Sequence, residues 1–530
     1  MAGYSEFSTR NLGVFSRVYL RIIYLIFYPI SFDTPFALNP CTILLYSMSY
    51  ILEGLEPEPV WLIFEDLTRI PRCSKHEEKV QDYLQQWASE HDIDYKKDDT
   101  GNVLLTRKAA EGFEDVPTLM FQAHQDMVCE KIPESSHDFK RDPIPLELKN
   151  GTVTAHGTSL GADNGLGMAL AMAVLASDGL VGNGQLEALF TVDEEAGFTG
   201  VKNLDPSFFT ATHMINLDSE EMGVIIVSSA GGGGTTYTID FRPQSVGSRD
   251  ALRIKVSGLK GGHSGVDIHL PRYNALKLLA EGLYNLHVEV PLRLIHFEGG
   301  TRSNVIPRDA FADILVSSRN SEKAMEIIRD WENNLDRSHE EDLEVKVEPI
   351  GPRSAAPIHE TEQLIYLVYE LPYGPKSWSS DYEDLVQTSN NPAIAETEDN
   401  TFTIQVSSRT SDMKDGYENQ RILSELGEKY MVKTKQRELS SGWKADPDSG
   451  LLNLVKKEYR DALGSEPEVT GIHGGLECGV IAGLKQSMSI VSVGPTIKYP
   501  HSPSEYVEIK GVDKLYKTLE MVASKMYTLR

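Results

Sequence analysis

The chain has 530 residues, with 51 Lys and Arg against 78 Asp and Glu, for a formal net charge of -27. So acidic a chain, with no clustering of its basic residues, argues against nucleic acid as a partner, because phosphate binding needs grouped Lys and Arg. A hydrophobic content of 40 % with 24 % charged residues excludes disorder and full membrane embedding, and the length predicts two to four folding units with ample material for a core.

The first fifty or so residues differ from the rest. Arg10, Arg17 and Arg21 precede the apolar run Ile22 to Tyr28, but Pro29 and Asp33 cut it well short of the roughly 20 residues that span a bilayer. No stable membrane span is expected. The segment is Arg-bearing and poor in acids, as an organelle-import leader would be, while Met48 reads as a natural start for the amphipathic segment that follows. Residues 1–52 are therefore set apart as a leader of uncertain status. Cys41, Cys73, Cys129 and Cys478 are widely spaced with no CxxC pair, so neither a disulfide framework nor a thiolate zinc site is expected, and a reducing compartment is the simpler reading.

Trp61, Leu62, Phe64, Leu67 and Ile70 have helical spacing stopped by Pro71; a second helix runs through Val80, Leu84 and Trp87, with Ser74 as its N-cap. Residues 102–107 and 118–124 read as strands, the second apolar enough to be buried on both faces. Gly161 to Gly167 is a glycine-rich turn leading into a small-residue helix, Met168 to Ala176, packed against something flat. Strands at 186–192 and 213–218 follow. This rhythm predicts an α/β sheet with ligands at strand ends. The glycine run within Ser228 to Thr235 lacks the Lys and Ser/Thr of a P-loop and reads as a hinge or close-packing turn. Beyond it, strands at 237–241, 252–256, 292–297, 310–316 and 402–406, with helices at 274–286 and 322–335, form an α+β block. Near Gly442 and Trp443 the chain resumes helices and short apolar strands.

Five motifs carry the chemistry. His124-Gln-Asp126 ends a strand, and its i, i+2 spacing puts a ligand imidazole and an orienting carboxylate on one face. Asp163 sits among glycines that let the backbone bend. Glu194 and Glu195 end the next strand, where adjacent like charges repel unless a cation sits beside them. Asp218 ends another strand, and His501 lies between prolines near the C-terminus. Each motif alone reads as a turn, a cap or a solvated acidic loop. Together, two histidines and a run of strand-end carboxylates without a thiolate fit a two-metal set suited to Zn, Mn or Co.

Over roughly residues 55–530 the chain resembles the M20 metallopeptidases, and within them the aminoacyl-histidine or cytosolic non-specific dipeptidases of the peptidase D type. The resemblance lies in QAHQDMV, GTSLGADNGLGMA, TVDEEAG, NLDSEE, GLKGGHSG, TRSNVIPR, HGGLECG and GPTIKYPHSP, in that order. It implies a two-domain α/β fold: a zinc-peptidase-like α/β/α catalytic domain in two parts, 53–234 and 439–530, with an inserted α+β lid and dimerisation domain, 235–438. It also implies that His124 and Asp218 bind one metal ion, Glu195 and His501 the other, and that Asp163 bridges them. Asp126 would orient His124, and Glu194 would be the general base. His263 would polarise the scissile carbonyl from the lid, while Asn304, Arg409 and Gly474 or Gly475 would hold the substrate's carboxylate. His473, Glu477 and Cys478 read as a structural loop rather than further ligands.

The expected activity is hydrolysis of unblocked dipeptides, including Xaa-His, by a cytoplasmic homodimer carrying two divalent ions, most simply Zn. The alternatives are an aminoacylase or deacetylase acting on N-acyl amino acids, and a non-catalytic metal-stabilised binding protein. An unligated Glu194 favours an enzyme over the latter.

Overall fold

A strand whose side chains are nearly all apolar must be covered on both faces, and Leu119–His124 is buried at all six positions. The computed structural model describes residues 50–529 apart from 246, 248 and 352. The status of Met48, the apolar run 22–28 and Cys41 lie outside the described residues.

The chain begins with α1 (Glu58–Thr68) and α2 (Glu78–Glu90), then β1 (Asp94–Lys97), β2 (Val103–Arg107), β3 (Leu119–His124), α3 (Ala162–Ala176), β4 (Leu186–Thr191), β5 (His213–Asn216) and β6 (Val224–Ser229). The middle block follows: β7 (Gly231–Asp240), β8 (Arg249–Ser257), α4 (Ala275–Glu289), β9 (Leu292–Gly299), β10 (Ala310–Ser317), α5 (Ser321–Asn333), β11 (Glu344–Ile350), α6 (Ile358–Glu370), β12 (Val386–Glu398), β13 (Thr401–Thr410), α7 (Met413–Lys429) and β14 (Lys433–Arg437). The chain then returns through α8 (Gly450–Leu463), β15 (Glu468–Ile472), α9 (Glu477–Leu484), β16 (Ser489–Ser492) and α10 (Val512–Lys525).

The first sheet has the order β1-β2-β4-β3-β5-β16-β6-β15, with β3 parallel to both β4 and β5 and an antiparallel edge at β1 and β2. Alternation along β3 sends Leu119, Phe121 and Ala123 into a core shared with α1, α3, α8 and α10, and Met120 into a second core with Phe209, Cys478 and Ile481. Helices thus cover both faces, and the carboxyl ends of β3, β4 and β5 open side by side. The middle block builds a separate antiparallel sheet, β11-β8-β10-β9-β12-β13-β7-β14, with its own core from Leu276, Leu279, Ile328, Leu364 and the strand residues Leu252, Leu294 and Ile314. Among the described residues no helix is long and apolar enough to cross a membrane.

Three local expectations are corrected. The glycine run expected as a hinge or turn is strand: Gly231 to Gly234 open β7 and pair with Ser407 to Thr410 of β13. The glycines serve close approach, since a Cβ at Gly231 would lie 2.1 Å from the Ser440 carbonyl oxygen. Ser74 does not cap α2, which starts at Glu78; its hydroxyl donates to Asp126 instead. Cys73 and Cys129 form a disulfide, Cα to Cα 5.7 Å, where none was expected. The cause is tertiary: the segment after α1 bridges Met127 at the exit of β3 and carries Cys73 to Cys129 across 56 residues of sequence.

Candidate metal centre

The apolar run of β3 ends at His124, which is 1 % exposed. Its Nδ1 faces Asp126 Oδ1 at 3.3 Å, which leaves Nε2 to face Asp163 Oδ1 at 3.0 Å and Asp218 Oδ1 at 3.4 Å. Asp126 is itself pinned by the Ser74 hydroxyl at 2.7 Å and by the backbone N–H groups of Glu194 and Glu195 at 3.1 and 3.2 Å. One carboxylate therefore orients the imidazole and anchors the end of β4.

Asp163 lies in the first turn of α3, where its ψ of 109° departs from helical geometry and swings the side chain to the sheet edge. Its second oxygen faces His501 Nε2 at 3.0 Å, and Glu195 Oε1 lies 3.0 Å from the same nitrogen. His501 sits on the connection between the short strands Ile497–Lys498 and Tyr506–Glu508. The acidic triplet splits at a left-handed residue: Asp193, at φ 54°, turns to the Thr199 hydroxyl and its N–H bonds Glu77. Only Glu194 and Glu195 face the site.

The donor atoms fall into three groups, each within 4.8 Å: His124, Asp163 and Asp218; Asp163, Glu195 and His501; and His124, Glu194 and Glu195. The first two share Asp163 alone. Electrostatics mark the same place. Burial opposes the charge on His124, yet Asp218, Asp126 and Asp163 hold its pKa well above the usual imidazole value. Bonds to Asp163 and Glu195 push His501 up to about 11. Burial raises Asp218 to about 6, and burial, reinforced by Asp218, Glu477 and Glu195, raises Glu194 well above the carboxylate range. Five carboxylates around two imidazoles, with no thiolate among the donors, is a cation-demanding cluster whose O and N atoms fit divalent Zn, Mn or Co. The residues present thus fit divalent cations, with two candidate groups that have Asp163 in common.

A second group lies on the other sheet. His263, in a two-stranded ribbon with Val305–Ile306, accepts the backbone N–H groups of Gly265 and Val266 at Nδ1. Its Nε2 faces Arg409 Nη2 at 3.3 Å, and burial followed by the Arg409 charge lowers its pKa. Arg409 lies near the Ser264 hydroxyl, and no carboxylate pairs with it among the described residues. Asn304 is exposed and joins the group through its carbonyl, which accepts the Ser264 N–H at 2.9 Å. The Gly474 carbonyl accepts the Ala230 N–H, and next to it His473 bonds the Ser389 hydroxyl. Burial lowers His473 to about 3. A Cβ on Gly265 would lie 2.3 Å from the His473 carbonyl oxygen, so the His263 loop presses on the loop holding Gly474. Among the described residues, His263, Asn304 and Arg409 share no hydrogen bond with the metal-centre side chains.

Several supporting residues escaped the sequence. Asn164 donates to Asp218, Arg72 bonds the backbone of Gln125, Asp126 and Gly161, and Glu505 accepts four backbone N–H groups from 160–163. Only Glu505 carried a signal, its position four residues after His501.

Residues 120–525 match the sequence profile described as Peptidase family M20/M25/M40. The chain is 36 % identical over 475 residues to the cytosol non-specific dipeptidase of Escherichia coli (strain K12), which covers 88 % of this chain and 97 % of that protein. The solved structure of aminoacylhistidine dipeptidase from Vibrio alginolyticus aligns with a TM-score of 0.84 and 35 % identity over 90 % of this chain and 98 % of its own. A tripeptidase from Staphylococcus aureus, at 15 % identity and a TM-score of 0.52 over 89 % of this chain and 99 % of its own, shares the fold. With a profile match across most of its length and a relative this similar end to end, the chain belongs to peptidase family M20/M25/M40.

Proposed function

We propose that the chain is a two-metal dipeptidase acting on unblocked dipeptides, Xaa-His among them. The observation that carries this reading is the pair of donor groups that share only Asp163, with Glu194 beside them. His124 and Asp218 would hold one ion, Glu195 and His501 the other, and Asp163 both. Bound there, two divalent cations would polarise a scissile carbonyl and acidify the attacking water.

The remaining steps fall to this chain's own groups. Glu194, which lies beside the two donor groups around Asp163 without completing either, is suited to accept the water's proton and pass it to the leaving amine. Asp126 fixes the His124 ring by engaging Nδ1, so that Nε2 points into the site. His263 accepts two backbone N–H groups at Nδ1, which favours the proton on Nε2; Arg409 Nη2, 3.3 Å from Nε2, must turn away to a substrate carboxylate before that N–H can donate to a carbonyl oxygen. The fork of Arg409, which pairs with no carboxylate among the described residues, suits a substrate's C-terminal carboxylate, with Asn304 and Gly474 as its neighbours in that role.

The finer reading is Zn as the ions, with Mn or Co as substitutes, residues 235–438 as a lid and dimer interface between catalytic segments 53–234 and 439–530, and residence in the cytoplasm. The similarity to a cytosol non-specific dipeptidase supports the substrate class and the compartment, whereas the Cys73–Cys129 disulfide is of a kind that persists in oxidising compartments. The deciding experiment is a dipeptide panel, including Xaa-His and its N-acetylated form, before and after chelation and with Zn, Mn or Co restored. Metal-dependent cleavage of the free dipeptide alone is expected. Preference for the acetylated form would make it an aminoacylase, and bound metal without hydrolysis a binding protein.

A further inference from the structure

Arg72 is 1 % exposed, yet its guanidinium bonds backbone carbonyls rather than a carboxylate: Nη1 donates to Gln125 O at 3.0 Å and Asp126 O at 2.8 Å, and Nη2 donates to Gly161 O. Space for it is reserved. A Cβ on Gly165 would lie 2.5 Å from Arg72 Nη2, and one on Gly161 2.7 Å away. One planar fork therefore ties the turn carrying His124 and Asp126 to the turn carrying Asp163.

Glu505, also 1 % exposed, completes the arrangement from the other side. Its Oε2 accepts the N–H groups of Leu160 at 2.8 Å and Gly161 at 3.0 Å, and its Oε1 those of Ala162 at 2.8 Å and Asp163 at 3.3 Å. Glu505 lies four residues beyond His501, so the same Asp163 turn is tied to the His501 loop. Three segments far apart in sequence, 124–126, 160–163 and 501–505, are thus joined through two buried charges of opposite sign.

We propose that Arg72 and Glu505 are positioning residues that set the spacing of His124, Asp163 and His501, so that a single carboxylate can serve both cation positions. Arginine suits the position because it reaches the two segments through separate nitrogens held in one plane, Nη1 to Gln125 and Asp126 and Nη2 to Gly161, whereas a lysine offers a single nitrogen. Neither side chain is among the grouped donor residues; both act through the turns they hold. The inference rests on the two-metal reading.

The test is calorimetric titration of Zn or Mn into the metal-free full chain, for the parent, Arg72→Lys and Glu505→Gln, alongside thermal unfolding of the metal-free proteins and steady-state kinetics at graded metal concentration. Loss of an outer partner of metal ligands typically weakens metal binding 10- to 100-fold. The expected result is a loss of that order at one or both positions in either variant that folds, with kcat falling at limiting metal, partly restored by excess metal, and KM nearly unchanged. Parent-like affinity at both positions in a folded variant would overturn the proposal, even with a lowered melting temperature, because that would be a purely structural role. If Arg72→Lys does not fold, Glu505→Gln decides. A parent that binds no divalent ion would overturn the two-metal reading itself.

Discussion

Glu194 and Glu477 are buried acids that serve different ends. Glu194 lies among the donor groups but is not needed to complete either triad around Asp163. Glu194→Gln should retain both ions by elemental analysis while turnover falls by about 10²- to 10⁴-fold, the usual worth of a general base. Parent-like turnover would remove Glu194 from that role. Glu477, expected from sequence to be structural, accepts from Gln122 Nε2 and the Thr191 hydroxyl, each at 2.6 Å, behind the centre. Burial raises its carboxyl to about 8. Between the unfolded value near 4.5 and about 8 the folded chain holds a proton that the unfolded chain has lost. That contribution to stability is full below pH 4.5 and is lost as pH rises through 8. Glu477→Gln, which stays neutral, should gain on the parent in melting temperature between pH 5 and pH 8 in metal-free protein; a gap constant with pH would refute the assignment.

At the scale of elements, the turn into α3 is fitted around other parts of the chain. Gly165 abuts the Arg72 guanidinium, with Phe64 Cε2 at 3.2 Å from where its Cβ would be. Gly165→Ala should destabilise by about 1–3 kcal/mol, the range for overpacking a filled interior, read as a shift in denaturant midpoint. The Cys73–Cys129 disulfide lies beside this turn and closes a loop across a separation of 56 residues. Cys73→Ser should cost about 2–4 kcal/mol. Reductant should lower the parent's melting temperature and leave the variant's alone, and equal responses would argue that the bond does not form in solution.

Over the whole molecule, the candidate metal centre gathers residues from 124 to 501 across β3, β4, β5, the α3 turn and the C-terminal connection. Ions that bind the folded chain and not the unfolded one stabilise it by mass action, about 2.7 kcal/mol at a hundredfold excess over Kd. Chelation should therefore lower the melting temperature, and Zn or Mn should restore it in a concentration-dependent way. Chelated and loaded protein melting alike would contradict a site that bridges distant segments.

The sequence by itself determined the α/β rhythm, because strands buried on both faces read as continuous apolar runs, and it marked His124, Asp163, Glu194, Glu195, Asp218 and His501 as candidates, whose donor atoms the structure gathers into groups within 4.8 Å. Only the tertiary structure decided that Asp193 turns away while its two neighbours face inward, that Ser74 serves Asp126 rather than a helix end, and that four glycines form a strand. It likewise decided the pairing of Cys73 with Cys129 and the burial of Arg72 and Glu505. The reason is physical: a local pattern reports which faces are buried, whereas the partners of a buried charge, a thiol or a close-packed glycine are brought to it by segments tens to hundreds of residues away, and nothing in its own neighbourhood encodes them.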